Sequence, residues 1–479
     1  MRWTVLLVAA CLFVSGCVGA FGGGEEPAAD GTPDGDASVD HTERADPGED
    51  RLGWENGYWH DDPVAVNASD GLNGSERKAV VARAMARVEV VRNLEFERTV
   101  NVTVLGRSNY SAGSNDTDGE AFRRFDNAKF EALFLIGNEE DSIETQEETR
   151  NRTIAGAYSP SRESIVVVSD SGSPKLDGER TLAHELVHAL QDQQFNLSRS
   201  SPRTRDAYNA RNGLVEGDAR AVEQEYMDRC GDTWACLPGA SEESNGGDGG
   251  GPPANLGVYI MSYFPYSDGP GFVASLREND DWSRVNDAFA DPPGSSVEVI
   301  YPEKYESFEP AEVSMRGPTS DGWERVRPEQ RPDYAVLGQS ALAAMFAYTL
   351  YDDYNQSAVV QPREFLNTEG GSVNRSDPFN YSLAPTRGWQ GDRMHVYERN
   401  GKTAYVWRLA WESPTDAERF ADRYRDLLTH WGGQRVTEGT WVIAEDSPFS
   451  DAVSLAVEGD TVTIVNAPDR GALGDVSPE

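Results

Sequence analysis

The chain has 479 residues, 81 of them acidic and 43 basic, for a net charge of −38. So acidic a surface argues against nucleic acid as a partner, because phosphate binding needs a basic face. The length allows two or three domains with a sizeable core.

In chain order, Arg2 and the apolar stretch Thr4 to Val14 read as a secretory signal, too short to span a bilayer. Val14-Ser15-Gly16-Cys17 has the form of a lipobox. Cleavage after residue 16 would leave Cys17 as the lipid attachment point and place the chain on the extracellular face of the cell membrane. Residues 17–53 are rich in Gly, Pro, Asp and Glu and read as a disordered acidic tether that cannot offset its ordering entropy. Asn-x-Ser/Thr sites such as Asn67, Asn101 and Asn151 agree with a surface location and are potential glycan acceptors.

A body is expected over 54–351. Ser75 to Arg92 has helical apolar spacing, Val100 to Leu105 reads as a strand, and Glu120 to Leu135 as a second helix. Ile154 to Tyr158 and Ser164 to Val168 form an expected hairpin around Ser159-Pro160-Ser161. A helix over 179–197 follows, with Asp177 or Thr181 as possible caps. Asp206 to Asp228 is another strong helix. A Gly/Ser-rich loop spans 238–255. Tyr259 to Arg277 returns to helix, the stretch after Asp291-Pro292-Pro293 reads as a turn and short extended run to Tyr305, and Tyr334 to Tyr351 is an apolar helix. Residues 352–388 read as a linker. Residues 389–479 read as a small α+β module: a hairpin turning at Asn400-Gly401, a helix capped by Ser413 with Pro414 at its first position, then strands over Gln434 to Ala444, Ala452 to Val457 and Thr461 to Asn466. The fold class is therefore α+β. Cys230 and Cys236, six apart in a secreted context, read as a small-loop disulfide.

The chemistry is concentrated in His184-Glu185-Leu186-Val187-His188. Two histidines four apart on a helix share one face and can reach one zinc ion, while the intervening glutamate can act on a metal-activated water. A chain with six histidines gives roughly 0.01 such matches by chance. A catalytic zinc takes a third protein ligand. Gln191 and Gln194 occupy the positions where a longer histidine motif would continue, so a carboxylate on the next helix is the natural supplier. Glu216 is the best placed. Glu223, two turns on, is either an alternative ligand or a carboxylate that orients a histidine. Asp218 points away from Glu216 on the helix wheel and is a poorer rival. Tyr226, His395 and Tyr301 are available as further donors, with no basis for choosing among them.

The run His184 to Gln193, followed by Leu214-Val215-Glu216-Gly217-Asp218-Ala219, resembles gluzincin-type zinc metallopeptidases. More narrowly, it resembles a group of haloarchaeal surface lipoproteins, as do Pro293 to Tyr305 and Gly388-Trp389-Gln390-Gly391-Asp392. Scarce lysine amid spread acidity fits a halophile's solvated surface. The resemblance implies a zincin-like domain with one Zn2+ held by His184, His188 and Glu216. It also implies Glu185 as the catalytic base and a peptide or protein substrate. The chain departs from the best-known members in lacking Asn-Glu-x-x-Ser-Asp around Glu216. The alternative expectation is a zinc-containing surface scaffold without turnover.

Overall fold

A computed structural model describes residues 46–66, 72–111, 119–171, 175–176, 178–199, 201–237, 251–277, 281–315, 317, 322–352, 354, 356–374 and 376–476. Cys17, the signal segment, most of the tether, Asp177 and residues 238–250 lie outside them. The architecture is mixed α and β. The elements that build the first part are β1 (Trp54–Glu55), β2 (Tyr58–Trp59), α1 (Gly74–Arg92), β3 (Asn101–Gly106), α2 (Glu120–Ala132), α3 (Ser142–Thr153), β4 (Gly156–Ser159), β5 (Ser164–Ser169), α4 (Arg180–Phe195), α5 (Arg205–Arg229), α6 (Leu256–Leu276), α7 (Ser283–Ala290) and α8 (Ser296–Ile300). The second part holds β6 (Glu324–Arg325), α9 (Gly338–Tyr348), α10 (Pro362–Phe365), β7 (Thr368–Glu369), β8 (Ser372–Val373), β9 (Trp389–Arg399), β10 (Lys402–Trp411), α11 (Pro414–His430), β11 (Gly433–Thr437), β12 (Thr440–Ile443), β13 (Ala452–Glu458), β14 (Thr461–Ala467) and α12 (Arg470–Val476).

Local sequence accounts for many of these boundaries. Asn73 closes a capping box with Glu76 at the start of α1, and Asn93 ends that helix in the left-handed region at φ 56°. Thr204 caps α5 through the Ala207 amide. Ser413 accepts from the Asp416 amide, and Pro414 opens α11 where its missing N–H costs nothing. Asn400 and Gly401, at φ 54° and 76°, make the tight turn between β9 and β10.

A small three-stranded sheet has the order β3-β5-β4, with β3 parallel to β5 and β4 antiparallel at the edge. It leads directly into α4. Helices α4 and α5 pack together, and α5 crosses α6 at glycines. A Cβ added to Gly217 would lie 2.3 Å from the Gly269 carbonyl oxygen, and one added to Gly269 would lie 2.4 Å from the Gly213 oxygen. Gly217 thus permits a close backbone approach, but to α6 rather than to the histidine-bearing helix.

The second part is an antiparallel seven-stranded sheet of order β11-β12-β13-β14-β10-β9-β6, with α11 packed against it. It is not set apart by a bare connection. The segment 352–388, expected as a linker, buries Phe365, Phe379, Tyr381 and Leu383 in a core shared with α4, α5 and α6. Its aromatic residues lack a period that would have marked them as core in the sequence. The sheet also begins before residue 389, since β6 pairs with β9. Asp392 of β9 ties the sheet to the start of α9 by accepting from the Leu337 and Gly338 amides, and it also accepts from the Trp407 indole of β10.

Three local expectations change. The run before Tyr305 is helical: Ser295 and Glu298 form a capping box, and Val299 packs on Gly213 of α5. Its β-branched residues suggested a strand, but tertiary packing overrides that preference. The strand expected over 434–444 is the pair β11 and β12, turning at Gly439 with φ 82°. Helix α3 was not expected, because among its residues only Ser142, Thr149 and Thr153 are buried and no apolar stripe betrays it. Among the described residues, no helix is long and apolar enough to cross a membrane.

Candidate metal centre

Helix α4 begins one residue after Glu179, and it is not capped in the expected way. The Glu179 carboxylate leaves the helix amides and binds Arg83 at 2.8 Å and Arg87 at 2.9 Å. It also accepts from the Tyr226 hydroxyl and the Leu237 amide. Helix α4 is thereby clamped to α1 and to the segment after the Cys230–Cys236 disulfide, which the structure contains.

This clamp fixes the helix face that carries His184 and His188. Those residues and Glu216 on α5 are 0, 4 and 3 % exposed, and Glu185 is fully buried. Such burial of ionisable groups demands partners. His184 Nε2 lies 3.2 Å from Glu216 Oε2 and 3.2 Å from His188 Nε2, and His188 Nε2 lies 3.3 Å from Glu216 Oε2. Among the described residues, these three form a buried group able to hold a metal ion.

The hydrogen bonds behind the rings set which nitrogens face inward. His184 Nδ1 is 3.1 Å from Glu223 Oε2, so it donates its hydrogen to that carboxylate. Glu223 is in turn held by Arg180 at 2.7 Å and Arg220 at 3.3 Å. His188 Nδ1 is 3.0 Å from Gln191 Oε1. The Gln191 amide nitrogen donates to Val215 O and to Asp218 Oδ2, both at 2.9 Å, which turns its oxygen toward His188. Asp218 is anchored by Arg92 at 2.7 Å. With both Nδ1 atoms used as donors, each Nε2 presents a lone pair, and the Glu216 oxygen presents another. Three lone pairs converging in a buried space call for an electron-pair acceptor at their centre. Bonds of about 2.0–2.1 Å at tetrahedral angles would separate ligand atoms by about 3.3 Å, which matches the spacing here. The residues present therefore fit a four-coordinate cation with one position left over.

With no cation, the same convergence must be met by protons. Burial opposes charge on His184, but hydrogen bonding to Glu216 and Glu223 outweighs it and pushes the ring up to about 10. Burial likewise opposes charge on Glu216, and the two histidines reverse this, drawing it down to about 2.

Glu185 packs against strand β4: a Cβ on Gly156 would lie 2.8 Å from Glu185 Oε1. The strand is tied to α4 again where the Tyr158 hydroxyl donates to Asp192 at 2.9 Å. A cleft of about 440 Å3 opens on His188 and Glu216, bordered by Tyr158 and Pro160 of the hairpin and by Arg211 of α5. A narrower cavity also reaches Glu216, lined by Tyr208, Asn212, Tyr259, Tyr263 and Tyr266. The Tyr266 ring backs His184, with ring centroids 6.4 Å apart.

The structure thus brings together His184, Glu185, His188 and Glu216, with Glu223 behind His184 and Asp218 behind Gln191. It does not bring Tyr226, His395 or Tyr301 to them. Tyr226 is bound to Glu179, His395 Nδ1 lies 2.6 Å from Arg325 in the sheet, and the Tyr301 hydroxyl contacts Ser382 and Gln339. Tyr208, two turns before Glu216 on the same helix, borders both cavities instead. Its i, i+4, i+8 relation to Asn212 and Glu216 was the sequence signal that could have found it. Gln191 was legible only as an interruption of a longer histidine motif.

A family model described as a domain of unknown function (DUF8575) matches residues 324–477, from β6 through α12, and leaves the histidine-bearing helix and its partner outside. No curated protein matches the chain. No solved structure matches it.

Proposed function

We propose that this protein is a zinc-dependent peptidase with a zincin-like body of the gluzincin type, held on the outer face of the cell membrane by lipid on Cys17. The observation that carries the reading is the convergence of His184 Nε2, His188 Nε2 and Glu216 Oε2 at 3.2–3.3 Å, with Glu185 on the same helix. Nitrogen and oxygen donors in a four-coordinate spacing suit zinc. A zinc ion bound there supplies Lewis acidity, polarising a peptide carbonyl and lowering the pKa of water toward about 7.

The protein's own groups do the remaining work. Glu185 takes the proton of the attacking water at its carboxylate and later delivers it to the departing amine. Gly156 leaves room for that carboxylate, because any side chain there would displace it. Glu223 and Gln191 keep the two imidazoles in the tautomer that faces the centre. Strand β4, at the sheet edge beside α4, offers an extended substrate a partner for main-chain pairing. Tyr208 borders the cleft at a place where a phenol can donate to developing negative charge.

The test is metal analysis of protein purified in high salt, beside Glu185→Gln, with an unfolded casein-like substrate. The expected result is one zinc per chain in both proteins, and cleavage lowered at least about 100-fold in the variant. One zinc per chain with no cleavage by the wild type would overturn the peptidase reading in favour of a zinc-holding scaffold. Absence of zinc would overturn both.

A further inference from the structure

The two cavities that meet at Glu216 are walled by cations in a protein dominated by anions. Arg203, Arg211 and Arg331 line the larger and Arg150 and Arg205 the smaller. Among the described lining residues of both, Glu216 is the sole carboxylate, and it is turned to the histidines. The chain as a whole carries nearly two acids for each base, so this stretch of wall inverts the composition around it.

Three of these guanidiniums are held in place. Arg205 lies 5.5 Å from the Tyr208 ring and 5.8 Å from the Phe130 ring, and Arg331 stands 3.9 Å over the Phe122 ring. Arg211 donates to the Leu197 carbonyl, and burial lowers its pKa. Asp192 acts on Arg211 while accepting from Tyr158 and from the Leu197 amide, Asp126 acts on Arg205 and Glu147 on Arg150, and none of these three carboxylates lines either cavity. A divalent cation with Glu216 would leave one further positive charge at the junction. Arginine forks in such a setting recognise carboxylates by paired, charge-assisted hydrogen bonds. Contact pairs of this kind persist at high salt, where the screening length falls to about 3 Å and long-range steering is lost.

Resting on the peptidase reading above, we infer that the substrate is a polypeptide carrying carboxylates within a few residues of the cleaved bond, read by Arg203, Arg211 and Arg331 in the larger cavity and Arg150 and Arg205 in the smaller. The carboxylate can belong to Asp or Glu side chains or to a chain end, and the experiment separates these sources.

Zinc-loaded, full-length Glu185→Gln serves as a binding protein for fluorescent peptides of one length whose flanking residues are Glu, Gln or Lys, each with a free or an amidated end. Fluorescence anisotropy in high salt is expected to rank Glu above Gln by about tenfold, with Lys weakest. Amidation would leave that ranking intact if side chains are read, and would remove binding if the chain end is read. The added changes Arg203→Gln and Arg331→Gln, both at exposed positions, should erase most of the advantage of Glu over Gln while the variant still unfolds cooperatively and still takes up zinc. Equal binding of Glu and Gln peptides that amidation leaves unchanged, or preference for Lys, overturns the inference, and cleavage of neutral peptides by the wild type would then leave the peptidase reading standing. A retained preference for Glu with no cleavage by the wild type does the reverse. Failure of every peptide to bind overturns both.

Discussion

Glu223 stands directly behind His184: its Oε2 lies 3.1 Å from the ring Nδ1, while its other oxygen is held by Arg180 at 2.7 Å. The carboxylate therefore fixes the ring's tautomer and its direction. Replacing it by Ala should free the ring and lower zinc affinity by about 10- to 100-fold, read by competition with a chelator. Gln191→Leu should do the same through His188, since it removes both the acceptor for Nδ1 and the donor to Asp218. Unchanged affinity in both variants would mean that packing alone orients the rings.

Glu179 binds two buried arginines, and its loss would strand both. Glu179→Ala is expected to destabilise the protein by about 3–5 kcal/mol, because Arg83 and Arg87 would remain buried without their counter-charge. Urea unfolding at fixed salt measures this. A loss under about 1 kcal/mol would show that water or the Tyr226 hydroxyl replaces the carboxylate.

Two glycines should respond differently to alanine. At Gly156 the new methyl meets the flexible end of Glu185 at 2.8 Å and the Thr181 methyl at 2.8 Å. The expected result is bound zinc at wild-type level, a modest stability loss, and turnover reduced by about 10- to 100-fold as Glu185 is displaced. At Gly217 the methyl meets the Gly269 backbone at 2.3 Å, so α5 and α6 must separate. A loss of about 3 kcal/mol or more in denaturant melts is expected there, at the upper end of overpacking effects.

Asp392 gives stability a pH dependence of known sign. Burial raises its pKa from 3.8 to about 7, against the lowering effect of the Gly338 and Leu337 amides. Between those values the native chain keeps a proton that the unfolded chain has lost, so its contribution is full below about 4 and disappears as pH rises through 7. The slope from this one group approaches about 1.4 kcal/mol per pH unit inside the window. Asp392→Asn should flatten the fall in melting temperature between pH 4.5 and 7.5; parallel curves for the two proteins would refute the assignment.

Several features could be read from residue order because they depend on neighbours in sequence. His184 and His188 share a helix face at any position in any fold, and caps such as Asn73 and Ser413 act within their own first turn. The hairpin turn at Asn400-Gly401 is equally local. Glu216 was reachable because it sits on a helix strong enough to be recognised by pattern. Helix α3 was not, since its burial is polar and slight, and the core role of Phe365, Phe379 and Tyr381 was hidden in a stretch without period.

The amino-acid order by itself determined that two imidazoles and a glutamate lie side by side on α4, because helical geometry repeats every few residues. Only tertiary packing decided that Glu216 closes the trio while Glu223, Gln191 and Asp218 hold it from behind. Those contacts join residues 24 to 39 positions apart. Their formation depends on how two helices cross and on which charges must be paired once water is excluded.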